Sequence, residues 1–333
     1  MQEAGRPHHD RLGEPLVDER KLGVTPKGKP ERLATYPGVY VLPRGEHGTV
    51  VAMAESNRGR QYAYDPAPGA AGPLKPGGYY PMLNKGSRSY PTYGSQVLLP
   101  LTPCRPGATA RVLVVGGQGD AGPDHRSLSP GQRTTNTAEI LGIDTARPLD
   151  AQPKWRAPKG NPGHLAHSRV LCGTTLLAYG TVLVSGGAAN RWDDQNRVPV
   201  NDAELFGPAT ETFTPAAKAA TDRRTTRPSC SSSTERCSRQ KEFTVTVSGA
   251  TVGKVPGRAR LAIVRLGSAT HGNDTDQRYV WLPPAGWAAT GKDWSITAKA
   301  LGNPAAAPPG YYQLIAVDAA GTPSPGRMVR ATA

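Results

Sequence analysis

Several things are missing from this 333-residue sequence. No apolar run approaches the ~20 residues of a membrane span, so no transmembrane segment is expected. Residues 1–10 have no apolar core, so no signal peptide is expected at this start. No paired C-x-x-C exists among Cys104, Cys172, Cys230 and Cys237, which argues against a thiolate zinc site. Aromatics are scarce at 6%. The net charge of +14 raises the question of nucleic acid. The basic residues are scattered, however, and no aromatics interleave with them, so nucleic-acid binding is not expected.

What is abundant is glycine (39) and proline (33), set among many short apolar runs. That composition suits a turn-rich, all-β chain, and the length suits two domains. Residues 1–34 are polar and without period, and read as a poorly ordered arm. His8-His9 within it reads as an exposed pair. Residues 35–240 carry a loose internal repeat. Strands are expected near Tyr36–Pro43, Thr49–Met53 and Gln61–Pro66. A second copy runs Val97–Leu101, Ala110–Gly117 and Asn136–Ile140. A third runs Val170–Leu177, Gly180–Gly187, Asn201–Phe206 and Thr212–Pro215. The shared grammar is an apolar strand, a strand ending in Gly-Gly, then Ala-Glu-Ile or Ala-Glu-Leu. That is the grammar of kelch blades, which come in rings because one blade cannot cover its own faces. At ~40–50 residues per blade, about four blades are expected before residue 240. An unclosed set would expose strand edges and blade faces.

The C-terminal stretch centres on Arg258–Leu282. A strand at Leu261–Leu266 enters a polar loop carrying His271, and Arg278–Leu282 leaves it. Further strands are expected at Phe243–Ala250, Trp294–Ala298 and Tyr311–Val317, with a turn at Ala320–Pro323 and a last strand ending at Val329. They fit a small immunoglobulin-like sandwich over residues 241–333.

Three motifs lie in this stretch: Thr270-His271 followed by Thr275-Asp276-Gln277-Arg278, then Pro308-Pro309-Gly310-Tyr311-Tyr312, then Gly321-Thr322-Pro323-Ser324. From Phe243 to Arg330 the sequence resembles the C-terminal early set domain of the galactose oxidase and glyoxal oxidase family. The resemblance implies a kelch-type β-propeller followed by an immunoglobulin-like early set sandwich, and an extracellular or cell-surface location. It implies copper, oxidation of a primary alcohol or aldehyde, and reduction of oxygen to hydrogen peroxide. It also implies that His271 matches the copper-ligating histidine that reaches into the propeller axis.

The rest of that ligand set is not legible. The run Thr225–Gln240 is serine-rich and lacks an apolar period. Rewritten in freely chosen codons and slid back one base from Arg224, it reads Tyr-His-Ser-Thr-Val-Leu-Leu-Leu-Leu-Asp-Gly-Thr-Val-Leu-Ser-Ala-Gly. That echoes Gly180-Thr181-Val182-Leu183 and supplies the family's Tyr-His pair. Residues 225–240 are therefore expected to be out of frame, with further propeller chain lost before Lys241. His167-Ser168 fails as a substitute, because the motif spacing falls on Val170 and Leu171 instead. Tyr90 and Tyr93 read as packing residues, Cys104 lies in a proline-rich insertion, and Cys172 reads as a buried free thiol. Cys230 and Cys237 are candidates for a disulfide. The expectation is a partial family member with His271 as a vestigial metal ligand, no catalytic residues, and copper not retained. The alternative is a non-catalytic kelch and immunoglobulin-like protein that binds carbohydrate or protein at the cell surface. Partners in the family reading are small alcohols, aldehydes or carbohydrate.

Overall fold

The computed structural model describes residues 38–43, 49–53, 60–64, 75–79, 82–84, 88, 93–102, 109–119, 134–144, 147, 155–190, 198–218, 234–237, 242–248, 259–270, 273–274, 276–301 and 303–332. The protein is all-β. No helix long and apolar enough to cross a membrane occurs among the described residues.

The first strands, β1 (Gly38–Leu42), β2 (Thr49–Met53), β3 (Arg60–Tyr64) and β4 (Lys75–Tyr79), form a four-stranded antiparallel meander. Next come β5 (Ser95–Leu98), β6 (Thr109–Val115) and β7 (Ala138–Asp144); among the described residues, the Ile140–Arg156 bridge stands where a fourth strand would lie. A second full meander follows, of β8 (Gly173–Leu176), β9 (Val182–Ser185), β10 (Asp202–Gly207) and β11 (Thr212–Lys218). These three sheets are arranged as blades of a β-propeller. The strand at Lys75–Tyr79 was not legible, because Lys-Pro-Gly-Gly-Tyr reads as a turn.

Two features of the repeat grammar acquire a physical reason. Gly116 and Gly187, in the two Gly-Gly pairs, have φ of 66° and 90°. A Cβ at Gly116 would strike the carbonyl of Arg169, and one at Gly187 would strike the carbonyl of Val170. The chain turns there only because no side chain is present. The Ala-Glu recurrence holds a buried ion pair. Arg88 Nη2 donates to Glu139 at 2.6 Å, and Arg169 Nη2 donates to Glu204 at 2.7 Å. Glu139 also accepts from the backbone of Leu83 and Asn84, and Glu204 from that of Ala166. The arginines bond the carbonyls of Gly116 and Gly186 respectively. Blade is thus repeated on blade down to single hydrogen bonds.

A second ion cluster ties the outer blade edges. Glu211, at the β10–β11 turn, accepts from Arg156 Nη1 and Nη2 at 2.6 Å each, and from Arg111 at 3.1 Å. Lys159 adds a backbone N–H at 2.9 Å. The hydrogen bonds from Arg156 lead in pulling its carboxyl down to about 2.

The remaining strands are β12 (Thr234–Cys237), β13 (Glu242–Ser248), β14 (Arg260–Arg265), β15 (Ala269–Thr270), β16 (Asn273–Asp274), β17 (Arg278–Trp281), β18 (Pro284–Thr290), β19 (Asp293–Lys299), β20 (Gly310–Val317) and β21 (Arg327–Ala331). A five-stranded sheet, β12-β21-β20-β14-β17, faces a three-stranded sheet, β13-β19-β18, in an immunoglobulin-like sandwich. β12 falls inside the run read above as out of frame and pairs in parallel with β21. Pro284-Ala-Gly-Trp makes β18 weak in propensity, and it lies at a sheet edge, where proline and glycine are tolerated.

The five-stranded sheet is buried on both faces. Leu261, Ile263, Leu314 and Val280 enter the sandwich core with Val247 and Ile296. Ala262, Tyr279, Ile315 and Val317 point the other way and join Val97, Leu99 and Leu113 of the blades. The continuous apolar run Leu261–Val264 is the sequence mark of that double burial. The seam is also hydrogen-bonded: Leu101 N donates to Tyr279 O at 2.9 Å, Trp281 N to Leu101 O at 3.0 Å, and Tyr279 Oη to Ala178 O at 3.1 Å.

Two predictions follow from these contacts. Gly187→Ala is expected to cost about 1–3 kcal/mol in urea unfolding, as left-handed strain alone does, while Gly286→Ala, with no atom near its added Cβ, is expected to sit near zero. Because the Glu211 carboxyl is depressed in the fold, its ionised form stabilises above pH ~4.5 and that contribution is lost as pH falls toward ~2. Melting curves should therefore show Glu211→Gln less stable than the parent near neutral pH, with the gap closing at the acid end.

Candidate functional site

The site anticipated from sequence is the loop between β14 and β17, and its described residues form a hairpin. β15 pairs with β16, and β16 then pairs in parallel with β5 through Asn273 and Gln96. The loop of the sandwich thereby becomes an extra strand on the innermost strand of a blade, and it also contacts β8. Beside it, Ser95 Oγ and Thr174 Oγ1 lie 2.9 Å apart, and Thr174 Oγ1 donates to Gln96 O at 3.2 Å.

The residues that flank the histidine build the loop. Asp274 Oδ1 accepts the backbone N–H of Ser268 at 2.8 Å, of Gln277 at 3.0 Å and of Asp276 at 3.3 Å. One side chain therefore closes the loop from both sides. Burial pushes the Asp274 carboxyl up, against the pull of these three donors. Gly267 is needed because a Cβ there would fall on Oδ2 of Asp274. Asp276 lies 3.7 Å from Arg265. Arg278 is buried, and its Nη1 donates to Ala305 O at 2.9 Å and Ala306 O at 3.3 Å. Its Nη2 donates to Val41 O at 2.5 Å, fastening β1 to the sandwich. Burial lowers this guanidinium to about 10, with Arg265's charge adding to the effect and Tyr312 opposing it. Tyr40, also buried, has its phenol pushed up by desolvation and then by Asp274.

His271 itself lies outside the described residues, as do His8, His9, Tyr90, Cys104 and Cys230. Cys237 lies on β12. His167 is exposed, with its ring 3.8 Å from Asp202 and far in role from the hairpin. Val170 is buried, and Leu171 adopts a φ of 56° while its N–H donates to Tyr93 O. Tyr93 is buried, as expected of a packing residue. Cys172 is a buried free thiol, pushed by burial up to about 11, so it stays protonated at neutral pH. Among the described residues no group of three or more His, Cys, Asp and Glu side chains could hold a metal ion. Sequence reasoning missed the buried arginines Arg88 and Arg169, and it named Arg278 as a motif residue without its buried anchoring role. Arg88 and Arg169 each precede a blade's first strand, and that recurrence was the available signal.

If Asp274 closes the loop, Asp274→Ala frees three N–H groups at once. Amide hydrogen exchange in residues 266–277 is then expected to quicken, with blade amides of β8–β10 unchanged. Equal protection in both proteins would contradict this assignment.

Comparison with known proteins bears on the whole arrangement. Residues 227–331 match the family model described as "Galactose oxidase-like, Early set domain". The match takes in the serine-rich run and β12. Among solved structures, one described as "Novel fungal alcohol oxidase with catalytic diversity among the AA5 family, in complex with copper" aligns with a TM-score of 0.63 at 18% identity. The alignment covers 91% of this chain and 65% of that one, so this chain spans less than two thirds of the fungal protein's length. At such identity the likeness is one of fold. A search of curated protein sequences found no match. Blades, sandwich and family match agree: residues 227–331 are similar to a galactose oxidase-like early set domain, and the chain resembles the galactose oxidase and glyoxal oxidase family.

Proposed function

We propose that this chain is a partial member of the copper-radical oxidase family that keeps the scaffold and does not turn over as an oxidase. In this reading residues 35–240 are kelch-like blades, residues from about 241 are the early set cap, and the protein acts outside the cell or at its surface. The parent activity is oxidation of a primary alcohol or aldehyde with reduction of oxygen to peroxide. His271 is the one copper donor that the family resemblance places in this sequence.

The observation that supports the reading is the chemistry beside the hairpin. The described side chains on the inner strands there are Ser95, Gln96 and Thr174, which are neutral hydroxyls and an amide. Cu(II) is held by imidazole, thiolate or ionised oxygen donors. Tyr40, a buried phenol, is pushed up by burial and then by Asp274. The described donor set does not fit a catalytic copper, and no step is assigned to it.

Protein purified from copper-supplemented medium is expected to carry much less than one copper per chain. It is expected to release no peroxide above a buffer control on galactose, methylglyoxal or simple alcohols. Stoichiometric copper together with peroxide release overturns the reading. The frame of residues 225–240 is tested separately by the coding bases. β12 and a family match beginning at residue 227 favour the written frame. The echo of Gly180-Thr181-Val182-Leu183 favours the shifted one. The shifted reading needs T closing the Arg224 codon and C closing the Thr225 codon, and any other base at either position removes it.

A further inference from the structure

The blade stack has a direction, and among the described residues no further blade covers its last face. In the middle blade, Leu113 and Ile140 are fully buried, in one apolar cluster with Leu176, Val182 and Phe206 of the next blade. The repeat fixes their equivalents. Leu183 stands three residues before Gly186 as Leu113 stands three before Gly116, and Leu205 follows Glu204 as Ile140 follows Glu139. Leu183 and Leu205 are paired neighbours across β9 and β10, continued by Thr175 on β8 and Thr214 on β11. Their partners in alternation, Val182, Val184 and Phe206, are buried toward the middle blade, while Leu183 and Leu205 are only half-buried. This row is the surface on which the stack seats its next blade, and among the described residues no blade lies on it. At the other end, β1 buries Tyr40 and Leu42 toward the middle blade and leaves Val39 47% exposed on the opposite side.

We infer that the β8–β11 face is a self-association surface that takes the β1–β4 blade of a second copy of this chain, head to tail. The contact continues the stacking already present between the two preceding blades, with the same alternation and with Leu183 and Leu205 in the places of Leu113 and Ile140. Two different faces meet, so the interface is heterologous. It either closes on itself or extends. The net charge of +14 opposes association of two copies. The apolar contact therefore strengthens as salt screens the repulsion.

Sedimentation equilibrium on the full chain, from low to high micromolar, is expected to show a mass above one chain that rises with concentration and with salt. Leu183→Lys combined with Leu205→Lys removes one face, and Val39→Lys removes the other. Each variant alone is expected to be a monomer. Mixed in equal amounts they are expected to recover a two-chain species, because each retains the face its partner lacks. Circular dichroism checks that the variants fold, and Leu183→Thr with Leu205→Thr replaces the lysine pair should that pair not fold. A parent that stays monomeric throughout overturns the inference. So does an assembly that survives either variant, or a mixture of monomers that gives no complex.

Discussion

The propeller part of this protein depends on putting a charge where a charge costs most. Arg88–Glu139 and Arg169–Glu204 sit with side chains almost wholly removed from water. Such pairs repay their desolvation only when every remaining donor and acceptor is used. Here nearly all are. The carboxylates take backbone N–H groups from the chain entering the blade, and the guanidiniums take carbonyls at the Gly-Gly turn and on the strand before the glutamate. The pair therefore fixes three segments far apart in sequence, and it fixes them in register. Arg88 Nε, buried and without a hydrogen-bond partner, marks the limit of this compensation. The Gly-Gly carbonyls are available because the backbone turns there in a conformation that side chains disfavour.

The sandwich rests on the same blades through a different means. Its five-stranded sheet has no solvent face over much of its area, since one side packs on the partner sheet and the other on the blades. Tyr279 and Trp281, their rings 4.9 Å apart, sit at that seam, and the guanidinium of Arg260 lies 3.7 Å above the Trp281 ring. From this rigid base the β15–β16 hairpin reaches the inner strands. Its shape is set by the Asp274 carboxyl and the Arg278 anchor, which brace the described hairpin from both sides.

How much of this could be read in the sequence follows from where each signal is local. Thr49–Met53 and Arg260–Arg265 were legible because alternation or an apolar run is a property of adjacent residues. The Gly-Gly and Ala-Glu recurrences were visible as grammar, but their reason was not: Glu204 matters through Arg169, 35 positions away. β4 and β18 were hidden because lysine, proline, glycine and alanine carry no strand signal, and pairing alone makes them strands. The loop was recognised by a histidine, yet the residues that build it are Asp274 and Gly267, which close it locally, and Arg278, whose partner Val41 lies across the fold.

The dependence on buried pairs is tested most directly by a double-mutant cycle on Arg169 and Glu204, with Arg169→Met, Glu204→Gln and the double variant followed by urea unfolding. Each single change leaves one buried group uncompensated and is predicted to cost about 3–5 kcal/mol, with the double variant costing far less than the sum. Additive losses, or single variants as stable as the parent, would contradict the account.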